Sequence, residues 1–151
     1  MRRKYGETFW TFIVEVMDWE LSYSIRLDEG KYGSAWFSDS LHLEIKGVIR
    51  LPDKYAEKEI DACFVGSRDM LPDKNRKSYR ISNPICVGEL RLQGEKRQFL
   101  GGIPIESLPT IASMLETKRI KYFDLHGLSP RWGHAKIKSV GFFRDYNPDD
   151  Y

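Results

Sequence analysis

MDWELSYSIRL, residues 17–27, alternates without a break. Met17, Trp19, Leu21, Tyr23, Ile25 and Leu27 fall on one side, with Asp18, Glu20, Ser22, Ser24 and Arg26 on the other. A period of two marks a strand with one dry face and one wet face. Residues 41–51, LHLEIKGVIRL, repeat the device, setting Leu41, Leu43, Ile45, Ile49 and Leu51 against His42, Glu44, Lys46 and Arg50. One-sided strands of this kind belong to antiparallel sheets, because parallel sheets are covered on both faces and read as continuous apolar runs. The Trp19 and Tyr23 side is expected to meet the inward faces of residues 41–51 and of the last hairpin. The Asp18, Glu20 and Arg26 side should be wet.

Working outward, Phe9 to Val16 is apolar on both faces and either runs into the strand at Met17 or bends near Asp18. Residues 28–40 hold Gly30, Gly33 and several Ser and Asp, which predicts a turn region with a short strand around Ala35 to Phe37. Ile60, Ala62 and Phe64 alternate with Asp61, Cys63 and Val65. In Cys86 to Gln93, Leu90 and Leu92 face in while Glu89, Arg91 and Gln93 face out. Gly94-Glu95-Lys96 then turns into Arg97 to Leu100, giving a hairpin.

The period changes at Leu108, Ile111, Ala112, Leu115 and Arg119, whose three- and four-residue steps predict a helix near residues 107–118. Ser107 is the candidate N-cap, Pro109 is tolerated in the first turn, and Lys118 and Arg119 suit the far end. The expected fold is mainly β, an antiparallel sandwich or a partly closed roll or barrel of about seven to nine strands. A helix arriving late, between two hairpins, favours a roll whose mouth it covers. No linker or repeat divides residues 1–151, which read as a single domain with residues 147–151 as a fraying tail.

Composition excludes more than it selects. Lys plus Arg number 24 against 22 Asp plus Glu, so no overall field demands a polyanionic partner. Four Trp, eight Tyr and eight Phe suit half-buried pleated surfaces and interfaces alike. Cys63 and Cys86 are the only cysteines, far from the density of a disulfide scaffold. Arg2, Arg3 and Lys4 precede an apolar run, but Glu7, Glu15 and Asp18 interrupt it and it is too short to span a bilayer. The expectation is a cytoplasmic protein with no membrane partner.

Candidate chemistry gathers in the last hairpin. If His126 lies opposite His134, then Asp124 faces Lys136 and Tyr122 faces Lys138, with Phe123, Leu125, Ala135 and Ile137 on the dry side. Asp124, His126 and His134 would then share one wet face, at the roughly 4.5–5.5 Å of directly opposed Cβ atoms. That spacing is close enough for a metal or acid–base role, although a wet strand face is the reading preferred, and no metal or cofactor is expected. Arg131 and Trp132, at the tip of the intervening loop, are residue types that anchor interfaces. The competing expectation is that Trp132 folds back to cap the core. No phosphate-binding loop, dinucleotide fingerprint, nucleophile elbow or zinc-protease motif is present.

Three functions fit these residues. The preferred one is a non-enzymatic binding or interaction module, a homodimer among the forms it could take, using aromatic sheet or loop surface such as Trp132. The second is a small-molecule binder or enzyme, with its site inside the barrel or on the Asp124, His126 and His134 face. The third is a weak nucleic-acid binder using the Lys74, Arg76, Lys77 and Arg80 loop at residues 69–80, which lacks interleaved aromatics apart from Tyr79.

Overall fold

The computed structural model describes residues 8–67 and 87–151. Their order is β1 (Phe9–Glu29), β2 (Ala35–Leu51), β3 (Glu59–Ser67), β4 (Gly88–Arg91), β5 (Arg97–Pro104), α1 (Ser107–Glu116), β6 (Tyr122–Leu128) and β7 (His134–Phe143). The basic loop at residues 69–80 and Cys86 lie outside the described residues. The hydrogen-bonded order is β1-β2-β3-β5-β4-β7-β6, and β6 pairs back onto β1, so the seven strands form a ring. Every pairing is antiparallel except β3 with β5, where Ile60 lies beside Arg97 and Ser67 beside Pro104. This parallel pair departs from the expected antiparallel sheet, because one-sided alternation reports burial and not strand direction.

The ring is filled. Phe12, Val14, Leu43, Ile45, Ile49, Ile60, Phe64, Phe99, Phe123, Leu125 and Ile137 are buried to 2% exposure or less. Phe64 is the hub, with ring centroids 5.3 Å from Phe99, 5.6 Å from Phe123 and 5.2 Å from Phe142. Gly88 and Gly101 face each other across β4 and β5, and a Cβ at either would lie within 2.6 Å of the Phe99 ring. The two glycines are the space that this ring occupies.

The ring's two ends are closed differently. Since β5 leads into α1 and α1 into β6, the helix sits at the end where β5 stops, and it buries Leu108, Ala112 and Leu115 there. The expected span of residues 107–118 holds to within two residues. Glu106, not Ser107, is the N-cap, and Lys118 ends the helix in the left-handed region at φ 55°. The Arg119 N–H there returns to the Met114 carbonyl at 2.8 Å, satisfying a terminal acceptor. At the opposite end, Trp10 and Tyr55 rest on Phe12, with Tyr55 carried by the turn after β2. No described helix is long and apolar enough to cross a membrane.

β1 and β2 outrun this ring. β6 pairs with β1 only from Phe9 to Glu15, and β3 pairs with β2 only from His42 to Val48. Beyond those limits the two strands pair with each other out to Glu29 and Ala35. The residues read from sequence as a turn region at 28–40 are therefore mostly strand, and the turn is confined to a tip around Lys31–Gly33. The result is a two-stranded arm projecting from the helix end of the ring.

Candidate functional site

Cross-strand partners share a face, so the register fixes what each side of the arm shows. One side pairs Ser24 with Ser40, Arg26 with Ser38 and Asp28 with Trp36. Here the Ser24 and Ser40 hydroxyls are 2.8 Å apart, the Arg26 Nε donates to Ser38 Oγ at 3.1 Å, and Arg26 pairs with Asp28 at 3.0 Å. The other side pairs Leu21 with Leu43, Tyr23 with Leu41, Ile25 with Asp39 and Leu27 with Phe37. Its inner part, Trp19, Leu21 and Leu41, packs on the core. Its outer part does not: Tyr23 is 59% exposed, Ile25 60%, Leu27 53% and Phe37 73%. The expectation that the whole Met17–Leu27 dry face meets the core is thus corrected. Met17 is also exposed, because it sits at the β-bulge between Val16 and Asp18. The period of two identified the face correctly, but the sheet that should cover it stops at His42.

The final hairpin has the expected faces and a different register. Phe123, Leu125, Ala135 and Ile137 are buried, as expected. His126, however, lies opposite Ser139, Asp124 opposite Gly141 and Tyr122 opposite Phe143. Between the His126–Ser139 and Gly127–Ile137 pairs, Lys138 is an extra residue, a bulge that turns both Lys138 and Ser139 outward. The two histidines are not partners. His126 Nδ1 contacts the Thr11 hydroxyl at 2.8 Å and its ring stacks on Phe9, while Asp124 Oδ1 accepts the Gly141 N–H at 2.6 Å. Among the described residues no three His, Cys, Asp or Glu side chains come together to hold a metal ion.

Arg131, Trp132 and His134 are brought together, at the ring end opposite the arm. Arg131 and His134 exchange backbone hydrogen bonds of 2.8 and 3.0 Å across a tight turn. Within it, Trp132 and Gly133 have φ of 55° and 75°. A left-handed tryptophan is strained and persists only where its surroundings fix it. Gln93 does this by donating from Nε2 to the Trp132 carbonyl at 2.6 Å, and the Leu92 N–H donates to Gly133 at 2.7 Å. The indole is 90% exposed, so the expectation that it caps the core is overturned. Beside it, Thr8, Glu89, Ser129, Arg131, His134 and Lys136 line a cleft of about 290 Å³. Glu89, which the sequence places only on a wet face, is the partner of His134, with Oε1 at 2.9 Å from Nδ1.

One pairing was invisible from sequence spacing. Cys63 Sγ lies 3.9 Å from His42 Nδ1, across β3 and β2. Burial, helped by the Glu44 carboxylate, pushes the thiol up from its ordinary value. A reactive cysteine needs the opposite shift. In a Cys86→Ser variant, Cys63 is expected to react with a disulfide reagent more slowly than a free thiol at neutral pH and to speed up on unfolding. Equal rates in the folded and unfolded states would contradict this.

No known family matches the chain, and neither a curated protein nor a solved structure matches it.

Proposed function

We propose that this protein is a non-catalytic interaction module that associates with a second copy of itself through the apolar face of the arm. The observation that carries the reading is the continuation of the core's dry face into solvent at Tyr23, Ile25, Leu27 and Phe37. At the roughly 150–250 Å² that one aromatic side chain can bury, these four exposures amount to about 400 Å² of apolar surface. That is within the range of a functional patch and about half of the roughly 800 Å² each partner gives to a standard interface. An isolated two-stranded ribbon is marginal in water, so the arm itself gains from being covered.

Among the described residues neither long edge of the arm is paired to a further strand, and the character of these edges supports a second copy as the occupant. Along β1 from Asp18 to Glu29 the edge carries Asp18, Glu20, Arg26, Asp28 and Glu29, charges of the kind that blunt strand addition. Along β2 from Ala35 to Leu41 the edge carries only Asp39, and neither Lys nor Pro. An identical edge brought up by a two-fold axis would extend the ribbon and join the two apolar faces, a self-complementary arrangement typical of dimers.

Sedimentation velocity of the full chain tests this. The wild type is expected to dimerise with a melting temperature that rises with concentration, and Ile25→Asp/Phe37→Asp to be a folded monomer whose melting temperature does not depend on concentration. A wild type that stays monomeric at every accessible concentration, or a double variant that still dimerises, overturns it.

A further inference from the structure

At the opposite end of the ring, independently of the arm, we propose that the cleft beside Trp132 binds a small oxyanion, a carboxylate or phosphate group. The argument begins with charge. Three arginines have described acidic partners: Arg50 pairs with Glu15 and Glu57, Arg26 with Asp28, and Arg144 with Asp145. Arg131 and Lys136 have no acidic partner among the described residues, yet both line the same concavity. Lys136 lies opposite Glu89 in the β4–β7 register, and the Glu89 carboxylate is turned to His134 instead. Glu89, the one acid among the described residues lining the cleft, is therefore engaged, and Arg131 and Lys136 line it together with Thr8 and Ser129.

These donors match an oxyanion in kind. A guanidinium presents a planar fork that meets a carboxylate or phosphate through two parallel hydrogen bonds, and an ammonium adds a point charge. Serine and threonine hydroxyls can donate to the remaining lone pairs. Leu128 supplies an apolar wall, and about 290 Å³ is the small end of the ligand-site range, suited to a single anionic group.

The cleft is also held in place. The reciprocal Arg131–His134 hydrogen bonds fix the turn, the Ser129 N–H donates to the Thr8 carbonyl at 2.7 Å, and Gln93 clamps the strained Trp132. Binding groups carried on a fixed backbone lose less freedom when a ligand arrives, and this is the use to which strain at Trp132 would be put.

The test is a titration of the full chain, at constant ionic strength held with sodium chloride, with inorganic phosphate and separately with sodium acetate. It is followed by amide chemical shifts. Saturable shifts are expected at Ser129, Arg131, His134 and Lys136, with the tighter of the two ions identifying phosphate or carboxylate as the source. Arg131→Gln and Lys136→Gln should each weaken binding by about tenfold, the effect of removing one charged hydrogen bond, without moving the melting temperature. Shifts that fail to saturate with either ion, or that persist unchanged in the double variant, would overturn the proposal.

Discussion

Phe64→Ala is expected to lower the unfolding free energy by about 3–5 kcal/mol, the usual cost of deleting a fully buried phenylalanine. The cost should sit at the upper part of that range because the site cannot collapse. Three other rings lean on Phe64, and two of them, Phe99 and Phe123, are buried with it. Phe99 is already seated over Gly88 and Gly101, where no atoms can move in to fill the gap. Urea unfolding followed by far-ultraviolet circular dichroism measures the loss. Leu100→Ala, a truncation on the outer side of the neighbouring strand position, should fall within about 0.5 kcal/mol of wild type. Similar costs for Phe64→Ala and Leu100→Ala would mean that the ring interior is not packed as described.

Gly127→Ala should be comparably damaging for the opposite reason. Gly127 follows the point where the β6–β7 register slips, and its backbone lies against β7. A Cβ there would overlap the Lys136 carbonyl oxygen and stand 2.8 Å from Ile137 Cα. Both are backbone atoms of a paired strand, so relief requires moving β6 and β7 apart. Overpacking of this kind costs about 1–3 kcal/mol and more when the backbone itself must shift. Gly141→Ala is the control. Its Cβ would meet the Asp124 side chain at 2.8 Å, a group that can rotate away at the cost of one hydrogen bond. Thermal unfolding should therefore rank Gly127→Ala well below Gly141→Ala, and the reverse order would refute the placement of the bulge.

What the sequence made legible was orientation. Ile60, Ala62, Phe64, Leu90 and Leu92 face inward, as their alternation predicts, because solvent exclusion acts on each side chain separately. It could not show where coverage ends. Tyr23 and Ile25 carry the same pattern as Leu21, and only the point at which β3 stops distinguishes them. A stronger signal was available in length: a 21-residue strand is several times the usual five or six and exceeds anything a small ring can cover. Register was the other blind spot. Placing His126 against His134 assumed an unbroken ladder, whereas Lys138 inserts one residue and the Arg131–His134 turn absorbs others. Of the site residues, Arg131, Trp132 and His134 are neighbours because one turn carries them. Glu89 enters through a pairing between β4 and β7 that no local spacing encodes.

The closing pair of the ring also governs how the chain can reach this shape. Thr11 and His126 touch although 115 positions separate them, and β6 is the described partner of β1 on that side from Phe9 to Glu15. A ribosome must therefore deliver Tyr122–Leu128 before the first strand is paired on both sides. Until then, the β1–β2 hairpin stands with the apolar inner faces of Phe12 and Val14 uncovered. Contacts so distant in sequence place the protein among slow, milliseconds-to-seconds folders. The same feature that seals the finished core makes the first strand the part of the nascent chain most exposed to wrong partners during synthesis.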